Sequence, residues 1–118
     1  MHLSGTGIGD LGDIALLPVS DTSQRQLIFS HKDESVKPGY YSLKLADPGV
    51  KVELTASERV GFHRYTFDGG TGRALMRLDL VQGIGWDKMT DCLITQESDT
   101  RITGYRRSEG WSRDQRIY

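Results

Sequence analysis

The sequence predicts an all-β chain: an antiparallel β-sandwich, incomplete at both ends. Three observations predict it. Glycine is abundant, with 14 residues in 118. Apolar residues alternate with polar ones at period two rather than following a helical stripe. Turn signals recur at intervals of about 8 to 15 residues, the spacing of short strands joined by tight loops.

The elements follow in order. Ile14 to Val19 is a short strand after a glycine loop. His31-Lys32-Asp33-Glu34 reads as a solvated turn. Tyr40 to Leu45 is a strand bracketed by Pro38-Gly39 and Asp47-Pro48-Gly49, whose prolines and glycines suit turns. Val50 to Ser57 alternates most cleanly, with Val50, Val52, Leu54 and Ala56 on an inner face and Lys51, Glu53, Thr55 and Ser57 on a wet one. Val60 to Phe67 carries bulk on both sides and is expected to be central. Asp68-Gly69-Gly70-Thr71-Gly72 is a turn, and Arg73 to Val81 returns as a strand with Ala74, Met76, Leu78 and Leu80 inward. Asp91 to Glu97 and Thr100 to Arg107 make a hairpin across Ser98-Asp99, and Gln115 to Tyr118 opens a last strand. Residues 1–118 read as one segment of a domain. The glycine-rich opening and the mid-pattern close suggest cut ends.

Composition excludes several classes of function. Lys and Arg number 15 against 16 Asp and Glu, so there is no basic stripe and no nucleic-acid partner is expected. No apolar run approaches the roughly 20 residues of a membrane span, and residues 1 to 20 lack the apolar core of a signal peptide. Cys92 is the only cysteine, which rules out an internal disulfide; a small core hydrophobe is its simplest role.

The most unusual stretch runs from His2 to Asp13. Gly5, Gly7, Gly9 and Gly12 allow a close backbone approach to a ligand or another chain. A dinucleotide fingerprint needs a strand before and a helix after; here a strand ended by Pro18 follows, so a nucleotide loop is rejected. His2, Ser4, Thr6, Asp10 and Asp13 could bind sugar hydroxyls or a hard cation such as calcium, but an Asp-x-Asp-x-Asp-Gly loop is missing. The plainer reading is a loop packed on a neighbouring domain. His2, His31 and His63 show no metal-ligand spacing, and His63 suits a hydrogen-bonded core position. Asp33 and Glu34 are adjacent, so on a strand they face opposite ways; no catalytic dyad is assigned. Trp86 and Trp111 sit beside glycine in loops. They suit either stacking on a sugar ring or closing an end of the fold.

Several runs together resemble glycoside hydrolase family 92. They are His2-Leu3-Ser4-Gly5-Thr6-Gly7 through Gly9-Asp10-Leu11-Gly12-Asp13-Ile14; Phe29-Ser30-His31-Lys32-Asp33-Glu34 with Pro38-Gly39-Tyr40-Tyr41; Glu53-Leu54-Thr55-Ala56 with Arg59-Val60-Gly61-Phe62-His63-Arg64-Tyr65; and Gly104-Tyr105-Arg106-Arg107-Ser108 with Gly110-Trp111 and Asp114-Gln115. The resemblance implies the supersandwich-like N-terminal β-sandwich of a calcium-dependent, inverting exo-α-mannosidase. The (α/α)6 barrel that carries the catalytic carboxylates and most calcium ligands is absent here. It implies no catalytic residue and no bound metal in this chain. His2, Ser4, Gly5, Thr6, Gly7, Asp10 and Asp13 are expected at the substrate cleft or the domain interface, and an exported, periplasmic or cell-surface parent is expected. The partners implied are that barrel and mannose-containing glycans. A stand-alone carbohydrate-binding or adhesion module is the alternative, with Trp86 and Trp111 as its platform. Unpaired strand edges would favour self-association.

Overall fold

The computed structural model describes residues 12–24, 26–69 and 73–118. The described elements are all-β, without an α-helix: β1 (Ala15–Val19), a 3₁₀ turn (His31–Asp33), β2 (Glu34–Lys37), β3 (Tyr40–Leu45), β4 (Val50–Ala56), β5 (Gly61–Phe67), β6 (Leu75–Asp79), β7 (Lys88–Ser98), β8 (Arg101–Glu109) and β9 (Gln115–Ile117). Strands β2 to β5 form one ladder in that order, β7 to β9 another, and β1 pairs with β6. Each pairing in the first two ladders is antiparallel, as predicted. The chain divides into two compact units, 18–77 and a unit of 1–17 with 78–118, and the division falls within β1 and within β6.

In the first of these units the period-two pattern builds the core. Leu43 lies opposite Val52 and Leu45 opposite Val50. All four are buried, the two valines completely. Removing side chains of this size from water supplies about 1.5–3 kcal/mol each before entropy is counted. The hairpin joining β2 to β3 turns on Pro38-Gly39, with Gly39 at φ +74°, where a Cβ is strained.

Four expectations need correction here. The stretch His31-Lys32-Asp33-Glu34 is no plain turn: Ser30 caps a 3₁₀ turn by accepting from the Lys32 N–H, and Glu34 starts β2. Three polar residues of four in this short strand hid it from the alternation pattern. β5 is not central but ends its ladder, with Phe62 56% exposed. Its bulk on both faces does not measure coverage. Glu53, assigned to the wet face of β4, is buried, whereas Ala56 of the inner face is exposed because it lies at the strand's end. In β6, Met76 of the expected inner face is exposed and Arg77 is half-buried.

The other unit centres on the long β7–β8 hairpin, which turns at Asp99-Thr100, one residue beyond the predicted turn. The ladder shifts register between Met89 and Asp91 and again between Gln96 and Ser98. Gly104 lies opposite Ile94, and a Cβ there would collide with the Leu93 carbonyl oxygen, so the strands approach as closely as they do only because 104 is glycine. Cys92 is half-buried on β7.

Candidate functional site

Two charge clusters stand out, one in each unit. The first is buried. Arg106 sits mid-β8, opposite Cys92 and Ile117, and is fully enclosed. Its guanidinium reaches the ends of three other segments. Nε donates to the Leu80 carbonyl at 2.6 Å and Nη2 to Asp87 at 3.1 Å, and Nη1 is ion-paired with Asp13 Oδ2. Ser108, two residues on and so on the same strand face, donates to Asp13 Oδ2 at 2.7 Å. Gln115 on β9 lies opposite Ser108.

Two carboxyls and one guanidinium, all dry, would carry one excess negative charge. Burial raises Asp13 above the ordinary carboxylate range, with the neighbouring Asp87 adding to the rise and the Ser108 hydrogen bond opposing it. Burial also acts to raise Asp87, but hydrogen bonds from Asp13 and Arg106 outweigh it and hold Asp87 below its usual value. Beside the Arg106 guanidinium, Asp13 is thus shifted toward its neutral form and Asp87 toward its ionised form. The carboxyl oxygens Asp13 Oδ1 and Asp87 Oδ1 are buried with no hydrogen-bond partner among the described residues.

The second cluster lies on the outer face of the β3–β4–β5 ladder. Glu53 accepts from Tyr40 at 2.7 Å, Lys51 at 3.1 Å and Arg64 Nε at 2.8 Å. These bonds, that from Arg64 foremost, hold its carboxyl down at about 2. A pocket of about 260 Å³ opens beside it, lined by Tyr40, Thr55, Phe62 and Arg64. On the other face His63 Nδ1 lies 2.8 Å from the Tyr65 hydroxyl and partial burial lowers its pKa; the histidine is hydrogen-bonded as expected but half-buried rather than in the core.

Of the residues predicted from sequence, His2, Ser4, Gly5, Thr6, Gly7 and Asp10 lie outside the described residues. Asp13, the last of that loop, is placed in the buried cluster. Trp86, between β6 and β7, is 59% exposed, and Trp111, between β8 and β9, is 77% exposed. Sequence reasoning missed Asp87, Arg106, Ser108 and Glu53. For Arg106 and Glu53 the only local sign is a charged residue within a strand, and solvated positions carry the same sign; Asp87 lies in a loop and Ser108 is uncharged, so neither carries even that.

Comparison with known proteins decides the family. The model of the glycosyl hydrolase family 92 N-terminal domain matches residues 1–118. The chain belongs to this family. Two solved structures of the family GH92 alpha-mannosidase BT3965 from Bacteroides thetaiotaomicron resemble the family 92 chain. The first matches with 31% identity and a TM-score of 0.85, and the second, a complex with mannoimidazole, with 32% identity and 0.81. Each match covers 98% of this chain and 17% of the relative, so the chain spans about a sixth of the length of the enzyme it resembles. No curated protein matches.

The calcium that the family implies does not fit the described residues. No three His, Cys, Asp or Glu side chains converge among them. Asp13 and Asp87 already face the Arg106 guanidinium, and calcium needs six to eight oxygens around a position that no cation shares.

Proposed function

We propose that this family 92 domain is the N-terminal part of a calcium-dependent exo-α-mannosidase acting on α-1,2-linked mannose, inactive by itself. It packs on an (α/α)6 barrel elsewhere in the same polypeptide and lines part of the substrate cleft. The observation that carries this reading is the match over all 118 residues to the family's N-terminal domain, with a TM-score of 0.85 to an alpha-mannosidase nearly six times as long. Inactivity of the domain alone is supported by its acidic clusters: Asp13, Asp87 and Glu53 are each engaged with an arginine. An inverting glycosidase needs an acid and a base on opposite sides of a sugar bond.

Packing on further chain is supported by an apolar groove of about 250 Å³, lined by Ile14, Leu16, Leu78, Leu80, Leu93 and Ile102. Leu93 and Ile102 are half or more exposed, a patch that a finished surface normally covers. The remainder of the polypeptide is its occupant, since the relative has the necessary length. Without that cover the 118-residue piece self-associates, which light scattering would reveal. Calcium binds outside the described residues, and the parent is exported to the periplasm or cell surface. These statements rest on the family resemblance.

The test is hydrolysis of α-1,2-mannobiose by the full-length polypeptide, with calcium and with a chelator, beside the 118-residue piece. Turnover by the long form alone, abolished by the chelator, is expected. Turnover by the short piece would overturn the assignment. A second reading, a stand-alone carbohydrate-binding module, is favoured by the exposed Trp86 and Trp111. Glycan binding by the short piece, lost in Trp86→Ala or Trp111→Ala, with no hydrolysis by the long form, would establish it instead.

A further inference from the structure

We propose that the outer face of β3–β4–β5 holds a binding site for one neutral hexopyranose ring, stacked on Phe62 and hydrogen-bonded by Arg64 and Glu53. Cross-strand register places the parts. Phe62 lies opposite Thr55, which lies opposite Tyr40; in the next row Arg64 lies opposite Glu53. Side chains two apart on a strand share a face, so both rows front the same pocket. Its volume of about 260 Å³ falls just under the range of about 300–1,000 Å³ that takes drug-sized ligands, a size suited to a single ring.

The chemistry of the lining matches a sugar. Phe62 is 56% exposed, and an aromatic face left open to water can lie against the C–H face of a pyranose. Neighbouring sugar hydroxyls each donate and accept, so they are best held by a rigid donor beside a rigid acceptor. Glu53 is a permanent acceptor, fixed by Tyr40, Lys51 and Arg64. Arg64 bonds Glu53 through Nε, which fixes the plane of the guanidinium and sends its terminal N–H donors outward on a side chain 72% exposed. Thr55 donates its hydroxyl proton to the Gly39 carbonyl at 2.6 Å, leaving its oxygen as a further acceptor. Lys51 and Arg64 outnumber Glu53 in charge, so a small anion is the competing occupant. An anion would meet the Glu53 carboxylate and make no use of Phe62, which is why the sugar is favoured.

The test is hydrogen–deuterium exchange on the full-length polypeptide, read at peptides spanning 53–55 and 61–64, with methyl α-D-mannopyranoside as probe and inorganic phosphate in a parallel arm. Slower exchange at both peptides with the sugar and not with phosphate is expected. Phe62→Ala should weaken that protection about ten-fold in sugar concentration, with an unchanged melting temperature, and Phe62→Trp should keep it. Arg64→Gln provides a second variant at an exposed side chain and should weaken it as well. No protection at these peptides, protection by phosphate alone, or equal protection in Phe62→Ala and Arg64→Gln would overturn the proposal. The readout is local and needs no turnover, so a polypeptide without mannosidase activity would sink the functional reading and leave this one standing.

Discussion

The two charge clusters use the same chemical parts, carboxylate and arginine, and reach opposite results. Around Arg106 the groups are dry, and burial is the strongest influence on both carboxyls. Asp13 is driven toward its neutral form so that the enclosed charges balance. Around Glu53 the carboxylate lies among partners that reach into water, with Arg64 72% and Lys51 51% exposed. Three hydrogen bonds hold it ionised down to about pH 2. Solvent access to the partners, more than the number of charges, decides whether an acid is kept protonated or charged.

This contrast can be broken or sharpened by substitution. The largest effect is expected from Arg106→Met, which leaves two enclosed carboxyls without their cation. Urea denaturation should show a loss of about 3–5 kcal/mol, the usual result of removing one partner of a buried pair. A loss below about 1 kcal/mol would mean that the cluster admits water. Asp87→Asn comes next. It removes the ionised acceptor of Arg106 and should cost about 1.5–3 kcal/mol, the worth of hydrogen bonds to charged groups.

Asp13→Asn should cost less than Asp87→Asn, because the amide imitates the neutral acid toward which burial shifts Asp13. Equal losses in the two variants would show that the proton does not reside on Asp13.

The pH dependence follows with its sign. Asp13 has a raised folded pKa, so the folded protein binds more protons than the unfolded chain. Stability carried by this group falls as pH rises from about 3.8 through the folded value. Glu53 is depressed from 4.5 to about 2, so its contribution is complete above 4.5 and is lost as pH falls toward 2. Asp13→Asn should therefore flatten the loss on the alkaline side of 3.8, and Glu53→Gln the loss on the acid side of 4.5, in denaturation midpoints measured across pH. Glu53→Gln at neutral pH is the smallest effect, since its ionic partners are exposed and an exposed pair contributes little. If Glu53→Gln unfolded the protein as readily as Arg106→Met, the distinction between the clusters would fail.

Much of the fold was legible in advance. Tyr40–Leu45 was predicted with its observed ends, and β4, β5, β8 and β9 within a residue or two, because alternation and Pro-Gly turns are local signals. The family was legible for a different reason: ordered motifs along the whole chain have few chance matches, and the family's N-terminal domain model matches all 118 residues. The sites were far less legible. Asp13 and Arg106 are 93 positions apart in sequence, and Asp87 lies in a third segment.

By itself the sequence determined the all-β antiparallel class, most strand positions, and membership of the family, since each depends on residues near one another or on order along the chain. Tertiary structure alone decided that Glu53 is buried on a face expected to be wet, that β5 ends its ladder with Phe62 open, and that Arg106 is enclosed between two carboxyls. Alternation assigns a side chain to one of two faces of a strand. How much water reaches that face depends on what the rest of the chain lays over it, and the pattern within one strand carries no record of that.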